Sequence, residues 1–358
     1  DFSGGSPNVI RRVLAAFPVQ RTVAFFQEIG VELHEEENGK LFPKTNRARS
    51  VLEAMLGEAA RLGVGILIQR RVTAIRRCPE GFRVFSDGTA LSARRVVLAT
   101  GGQSLPKTGS DGSGYRLAEE LGHTLVTPTP ALVPLVLEGE FHKPLSGITQ
   151  PVELTSRAAG SKPVRVVGML LWTHFGVSGP AALDVSRHWH RANIEQREVT
   201  ISANLVPGED AGAIERKLLK FVEVQPKAQL HSTLARLLPA RVADAILGAL
   251  GLPGAVPMAH LLKESRRRLA QALACWPLPV RDSRGFTYAE VTAGGVPLSE
   301  VTPGTLASRK CPDLFLVGEI LDVDGRIGGF NFQWAWSSAW VAATALARTV
   351  EPGTLPAT

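Results

Sequence analysis

Apolar residues recur at helical spacing over the first sixty positions and then give way to shorter, strand-like runs. Residues 9–17 and 21–29 each present one apolar face, and Gly30 supplies a stop for the second helix. Residues 50–62 repeat the pattern through Val51, Leu52, Met55, Leu56, Ala59 and Leu62 before Gly63 ends it. Strands are then expected at 64–68, 72–77 and 82–85, with Asp87-Gly88 as a hairpin turn. Residues 95–99 form a short run that is apolar from Val96 onwards, the signature of a strand buried on both faces.

From about residue 127 the pattern alters. Pro128, Pro130, Pro134 and Pro144 break the chain, and strand-like runs follow at 152–155, 164–171 and 199–205. Residues 209–270 read as helices punctuated by Pro226, Pro239 and Pro253. Beyond Pro279 the α/β character returns, with a strand at 314–317 and a long helix rich in small residues from about 332 to 348. The expected division is 1–128 for the first part of an α/β domain, 129–208 for an inserted β domain, 209–272 for a helical subdomain and 273–358 for the return.

Composition narrows the class. Hydrophobic residues at 44% and charged residues at 20% are ordinary for a folded chain, and their spread along the sequence argues against disorder. The 35 glycines and 24 prolines predict many tight turns and close backbone approaches. A net charge of +7 permits an anionic partner, yet the arginines are scattered and only Arg266, Arg267 and Arg268 form a run. A solvated basic surface accounts for most of that charge. Cys78, Cys275 and Cys311 lie far apart with no C-x-x-C, which disfavours a zinc ribbon or a dithiol redox pair. No metal site is expected. So few cysteines suit a reducing cytoplasm, and no run of about 18 apolar residues predicts a membrane span.

Three glycine-containing stretches carry the chemistry. The 94–102 run, RRVVLATGG, is a buried strand that empties into Thr100-Gly101-Gly102, where side chains vanish and a ligand can reach the backbone. Residues 314–319, LFLVGE, form a second such strand end, followed by Asp322 and Asp324, whose carboxylates can accept bonds from ribose or polyol hydroxyls. Gly328-Gly329-Phe330-Asn331 then opens the small-residue helix, so unpaired N–H groups and the positive end of the helix dipole face whatever binds there.

The sequence resembles the BaiN/YhiN-type family of bacterial NAD(P)/FAD-dependent oxidoreductases. The matching blocks are 39–43 (GKLFP), 99–104 (ATGGQS), 109–115 (GSDGSGY), 130–135 (PALVPL), 172–180 (WTHFGVSGP), 289–296 (AEVTAGGV) and 318–338 (GEILDVDGRIGGFNFQWAWSS). They run in order along nearly the whole chain, and the last is long and specific. The resemblance implies an α/β FAD-binding, two-dinucleotide-type (Rossmann-like) domain with an inserted β-barrel and a helical subdomain. It implies that Thr100, Gly101 and Gly102 line the pyrophosphate and ribose of FAD, and that Val72 meets the adenine. Gly318, Glu319 and Asp322 would contact the ribityl and phosphate groups, and Gly328, Gly329, Phe330 and Asn331 the flavin ring. One departure stands out: no G-x-G-x-x-G occurs in the chain, and the string from Gly109 to Gly114 follows no strand. The fold is therefore expected to be incomplete at its N-terminus, lacking the first βαβ unit. A chain that opens Asp1-Phe2-Ser3 without Met agrees with that expectation.

Flavin carries the redox chemistry, so the protein must supply orientation and a proton. Candidates for the general acid are Tyr115, His174 and Tyr288, with His174 set in a Thr-His-Phe-Gly turn. Asp111 is expected to cap the helix near Tyr115, and His123 to cap a helix end beside Gly122. The resemblance implies NAD(P)H as reductant and either an enone-type small molecule or an RNA pyrimidine as substrate; the basic surface favours RNA. The competing readings are an amine oxidase and a non-catalytic binding module that keeps the fold without the cofactor.

Overall fold

In the computed structural model, residues 1–36 and 39–348 are described; residues 349–358 of the expected return lie outside them. The chain forms two compact units, one from residues 1–128 together with the segment from Val291 onwards, the other from Thr129–Glu290.

The first unit mixes helices with short sheets. Helices Pro7–Ala16 and Val19–Glu28 follow the apolar spacing, and proline at the first helical position opens the earlier one. The long helix Phe330–Arg348 packs with them. Phe17 stacks on Trp340 at 4.9 Å, and its carbonyl accepts bonds from the Ser337 hydroxyl and the Gln333 amide, both at 2.8 Å. Small residues on that helix permit this approach. The core gathers Val13, Phe82, Leu98, Tyr115, Leu314, Leu316 and Trp334. Strand Val96–Leu98 lies parallel to Leu314–Leu316, with Leu98 opposite Leu316, so segments more than two hundred residues apart share one edge. Strands Val72–Cys78, Gly81–Ser86 and Thr89–Ala93 form an antiparallel meander. Its second turn has positive φ at both Asp87 (44°) and Gly88 (76°), as a two-residue hairpin of this type requires.

One expected strand is absent. Residues 64–68 adopt no strand, and Val64, Ile66, Leu67 and Ile68 are exposed. The preceding helix, Ala48–Arg61, has the predicted amphipathic spacing but no buried residue. A strand exists only where a neighbour offers N–H and C=O groups, and no described segment does so here.

The second unit is built on a seven-stranded antiparallel sheet. Its order is Trp276–Leu278, Val199–Asn204, Thr149–Ala158, Val164–Thr173, Gly176–Ser178, Leu135–Leu137 and Val280–Ser283. The two end strands are separated in sequence only by Pro279, so the sheet curls until its edges meet at that residue. Helix Pro180–Ile194 lays Ala181, Ala182, Val185 and Trp189 in the same core as Trp172, Leu154 and Leu170 of the sheet. Helices Ala211–Val224, Leu230–Leu234, Ala240–Leu250 and Lys263–Ala274 follow. Residue 273, the expected start of the return, instead precedes two strands of this sheet, and the chain rejoins the first unit at Val291. Apolar alternation marks a strand without saying which sheet it joins.

The basic run is largely tied down. Arg266 and Arg267 lie 3.4 and 3.6 Å from Glu215, and Arg268 donates to the Leu250 carbonyl at 3.2 Å. Among the described residues no helix is long and apolar enough to cross a membrane. No group of three His, Cys, Asp or Glu residues there could hold a metal ion.

Candidate functional site

The parallel pair sets the site. Val317 N–H donates to the Leu98 carbonyl at 3.0 Å, so Thr100–Gly102 and Gly318–Glu319 leave the sheet side by side at the carboxyl ends of their strands. That is the edge where α/β sheets take ligands. Gly101 and Gly318 both have positive φ, 70° and 75°, and nothing lies within 4 Å of where a Gly318 side chain would start.

The C-terminal helix clamps Gly318 from both sides. Its N–H donates to Ser338 Oγ at 2.9 Å, and its carbonyl accepts from Trp334 Nε1 at 3.0 Å. Buried Ser338 and Trp334 thereby bring the helix against the strand end. The helix start is pinned as well. Asn331 Oδ1 accepts from Gly325 N–H at 2.8 Å, and Asn331 Nδ2 donates to the Gly325 carbonyl at 2.9 Å, imitating a strand pairing. Phe330 meets the edge of Phe2 at 5.7 Å and carries the Arg326 guanidinium over its face at 4.4 Å. The side chains of Phe330 and Asn331 are thus committed to packing, while Gly328 (φ 122°) and Gly329 (φ 88°) keep their backbone open. Asp322 joins the same edge through its backbone: its carbonyl accepts from Gly5 and its N–H donates to Val296, both at 2.8 Å.

A residue that sequence reasoning passed over ties the strand ends together. Thr292, fully buried, accepts bonds through Oγ1 from the N–H groups of Gln103 (2.7 Å) and Ser104 (3.1 Å), and shares a proton with the Ser104 hydroxyl at 3.0 Å. Its own N–H donates to Glu319 Oε1 at 2.6 Å. Gly102 sits between them. A β-carbon there would lie 2.7 Å from Glu319 Oε1 and closer still to Thr292 Oγ1. Burial raises the Glu319 pKa, the Thr292 bonds pull it back, and the Asp324 charge adds to the rise.

Tyr115 lies on helix Ser113–Glu120, buried in the first unit's core, and its hydroxyl has no hydrogen-bond partner among the described residues. Burial first, then the charges of Glu319 and Asp322, push its pKa up, so it holds its proton tightly. Thr100 packs where a Gly114 side chain would stand, which joins this helix to the first strand end. Asp111 accepts from Ser113 N–H at 3.0 Å and pairs with Arg71; these bonds, Arg71 foremost, hold its carboxyl down to about 2. Val72, half-buried, opens its strand directly after Arg71, and Arg116 of the Tyr115 helix donates to the Thr73 carbonyl at 2.8 Å.

His174 belongs to the second unit. It stands exposed on the turn between strands Val164–Thr173 and Gly176–Ser178, its ring edge-on to Phe175 at 5.1 Å. Tyr288 is also in that unit and half exposed. His123 is no simple helix cap: its ring bonds Glu300 Oε2 through Nδ1 and Ser308 Oγ through Nε2, each at 2.8 Å, in a buried chain. The structure therefore brings together Thr100, Gly101, Gly102, Tyr115, Gly318, Glu319 and the closing helix at Trp334 and Ser338. Val72 is joined to that group through its neighbours, and His174 is placed in the other unit.

Comparison with known proteins is extensive. The HI0933-like protein Rossmann domain family matches residues 2–345. A 3-dehydro-bile acid delta(4,6)-reductase of Clostridium scindens is 32% identical, covering 97% of this chain and 84% of its own length. Two proteins named ribosomal RNA dihydrouridine synthase are similarly related. That of Haemophilus influenzae is 30% identical over 96% of this chain and 83% of its own. That of Escherichia coli is 32% identical over 94% and 82%.

Proposed function

Since the chain belongs to the HI0933-like Rossmann-domain family, whose relatives bear oxidoreductase names, we propose that it is an FAD-dependent reductase of a carbon–carbon double bond conjugated to a carbonyl. That bond type is common to the two activities named in its relatives, reduction of a 3-dehydro-bile acid and formation of dihydrouridine in RNA. When bound, the flavin supplies the hydride, taken from NAD(P)H.

The observation that carries the reading is the pairing of the two strand ends that lead into Gly101-Gly102 and Gly318, with the closing helix bonded to Gly318 through Ser338 and Trp334. The open space at Gly318 and at Gly329 suits a flat, polar-edged group. The N–H groups at the start of the Phe330–Arg348 helix would stabilise negative charge on the reduced ring. The unpartnered Tyr115 hydroxyl is a polar contact awaiting a ligand, though its raised pKa makes it a poor acid. The curled sheet of the second unit is read as a barrel, in keeping with its end strands meeting at Pro279.

A second reading is a binding module without cofactor, favoured by the lack of a G-x-G-x-x-G and by the committed side chains of Phe330 and Asn331. Purifying the protein at the full length its gene encodes and recording its visible spectrum separates the two. A bound flavin band that NADH or NADPH bleaches in stopped flow is the expected result; a full-length protein that stays colourless sinks the enzyme.

A further inference from the structure

Arg284, in the second unit, is held as few surface arginines are. Its guanidinium carbon lies 3.7 Å from the centroid of the Tyr288 ring and 4.7 Å from that of Phe175. Both are within the range where a cation is attracted to an aromatic face. The loop that carries it is fastened at several points. Arg284 N–H donates to the Pro134 carbonyl at 3.0 Å, Gly285 N–H to Ser283 Oγ at 3.1 Å, and Tyr288 N–H to the Gly285 carbonyl at 3.0 Å. Ser283 Oγ is in turn bonded to His190 Nε2 at 2.8 Å. Phe175 is braced by His174 on its edge.

This cation has aromatic partners but no carboxylate. Among the described residues Arg284 makes no ion pair, and neither does exposed Arg281, three residues earlier. The nearby Lys143, by contrast, is matched by Glu140 at 2.8 Å. A guanidinium held by its faces leaves its N–H edge free of those rings, and a planar fork suits two oxygens of one oxyanion. Holding it in place beforehand removes much of the ordering cost of binding. Tyr288 is 51% exposed, so the stack opens to solvent.

We propose that the Phe175–Arg284–Tyr288 stack is a clamp for an oxyanion of the substrate. The proposal rests on the reductase reading only for the identity of that substrate. The oxyanion has two sources in chemistry of this kind: a phosphodiester of single-stranded RNA, or the carboxylate of a steroid acid. A phosphodiester adds a base that can lie against the open side of Tyr288, since stacking on aromatic rings is how unpaired bases are held.

Equilibrium binding tests the clamp without turnover, so its failure is separable from failure of the flavin assignment. The probes are a fluorescein-labelled oligouridylate, followed by anisotropy over a salt series, and cholate, followed by calorimetry. Arg284→Ala is expected to weaken one probe about tenfold. If that probe is RNA, the slope of log affinity against log salt falls by about 0.7, the loss of one single-strand phosphate contact. Arg284→Lys, which keeps charge without the fork, should bind nearly as poorly as the alanine variant. Tyr288→Phe should bind as the unsubstituted chain does, because only the ring face is required, whereas Tyr288→Ala should not. Loss of the RNA probe assigns a phosphodiester and loss of cholate assigns a carboxylate. Unchanged affinity of Arg284→Ala for both probes, full binding by Arg284→Lys, or no binding of either probe to the unsubstituted chain overturns the clamp.

Discussion

Gly102 has little space and no freedom to exchange for more. Its absent side chain is bounded by Glu319 Oε1 and Thr292 Oγ1, and neither can retreat because each is already hydrogen-bonded. Gly102→Ala should therefore cost about 1–3 kcal/mol of stability by overpacking. Thr292→Val would leave the Gln103 and Ser104 N–H groups without their acceptor, at a similar cost of about 1–3 kcal/mol. Urea titration measures both. Wild-type stability for either variant would mean the two strand ends are not braced in this way. Glu319 adds a pH signature. Because its pKa is raised on folding, the folded state keeps a proton that the unfolded state gives up, so its contribution falls as pH climbs above the ordinary carboxylate value. Glu319→Gln should flatten that part of the stability–pH curve. The sequence made Gly101 and Gly102 legible, since glycines at the end of an apolar strand have a plain physical use. It hid Thr292, which looks like any β-branched strand residue until its hydroxyl is seen bridging two loops.

Helix Pro180–Ile194 carries two histidines, His188 and His190, that burial holds at pKa values of about 4. Each is neutral when folded and must be charged when unfolded at mildly acidic pH. Their stabilising contribution is therefore complete above the ordinary histidine value of about 6.5 and is lost as pH falls from there towards 4. Each loss is of the order of 3 kcal/mol at most. Thermal unfolding between pH 7 and pH 4 should show the decline, and His190→Gln should remove a large share of it; an unaltered decline in that variant would assign the acid sensitivity elsewhere. Elements of this kind were partly visible in the sequence. Periodicity found the two N-terminal helices, the meander and the long closing helix, because local spacing decides each of them. It failed at residues 64–68, where apolar character is real but no pairing neighbour exists, and at residues 276–283, which were assigned to the returning α/β domain although both strands there join the second unit's sheet. Partners are long-range facts, and a one-dimensional pattern does not contain them.

On the scale of the whole chain, the decisive arrangement joins Val96–Leu98 to Leu314–Leu316 across the intervening second unit. The family resemblance anticipated that strand ends so distant in sequence would meet; composition and spacing could not. A ligand held where they meet must stabilise the first unit by mass action, by about 2.7 kcal/mol at a hundredfold excess over its dissociation constant. FAD should accordingly raise the unfolding temperature of the protein at the full length its gene encodes. Gly329 offers a clean control, because it is exposed, has φ of 88°, and nothing lies within 4 Å of an added β-carbon. Gly329→Val strains the backbone at the helix start without disturbing any packing, so the variant should fold with a modest loss of stability, about 1 kcal/mol or somewhat more. Its branched side chain would nevertheless stand where the flavin ring is expected to approach the helix N-terminus. The FAD-induced shift should then shrink to a small fraction of its original size. An equal shift in Gly329→Val and in the unsubstituted chain would mean that the ring, if it binds at all, does not sit against that helix.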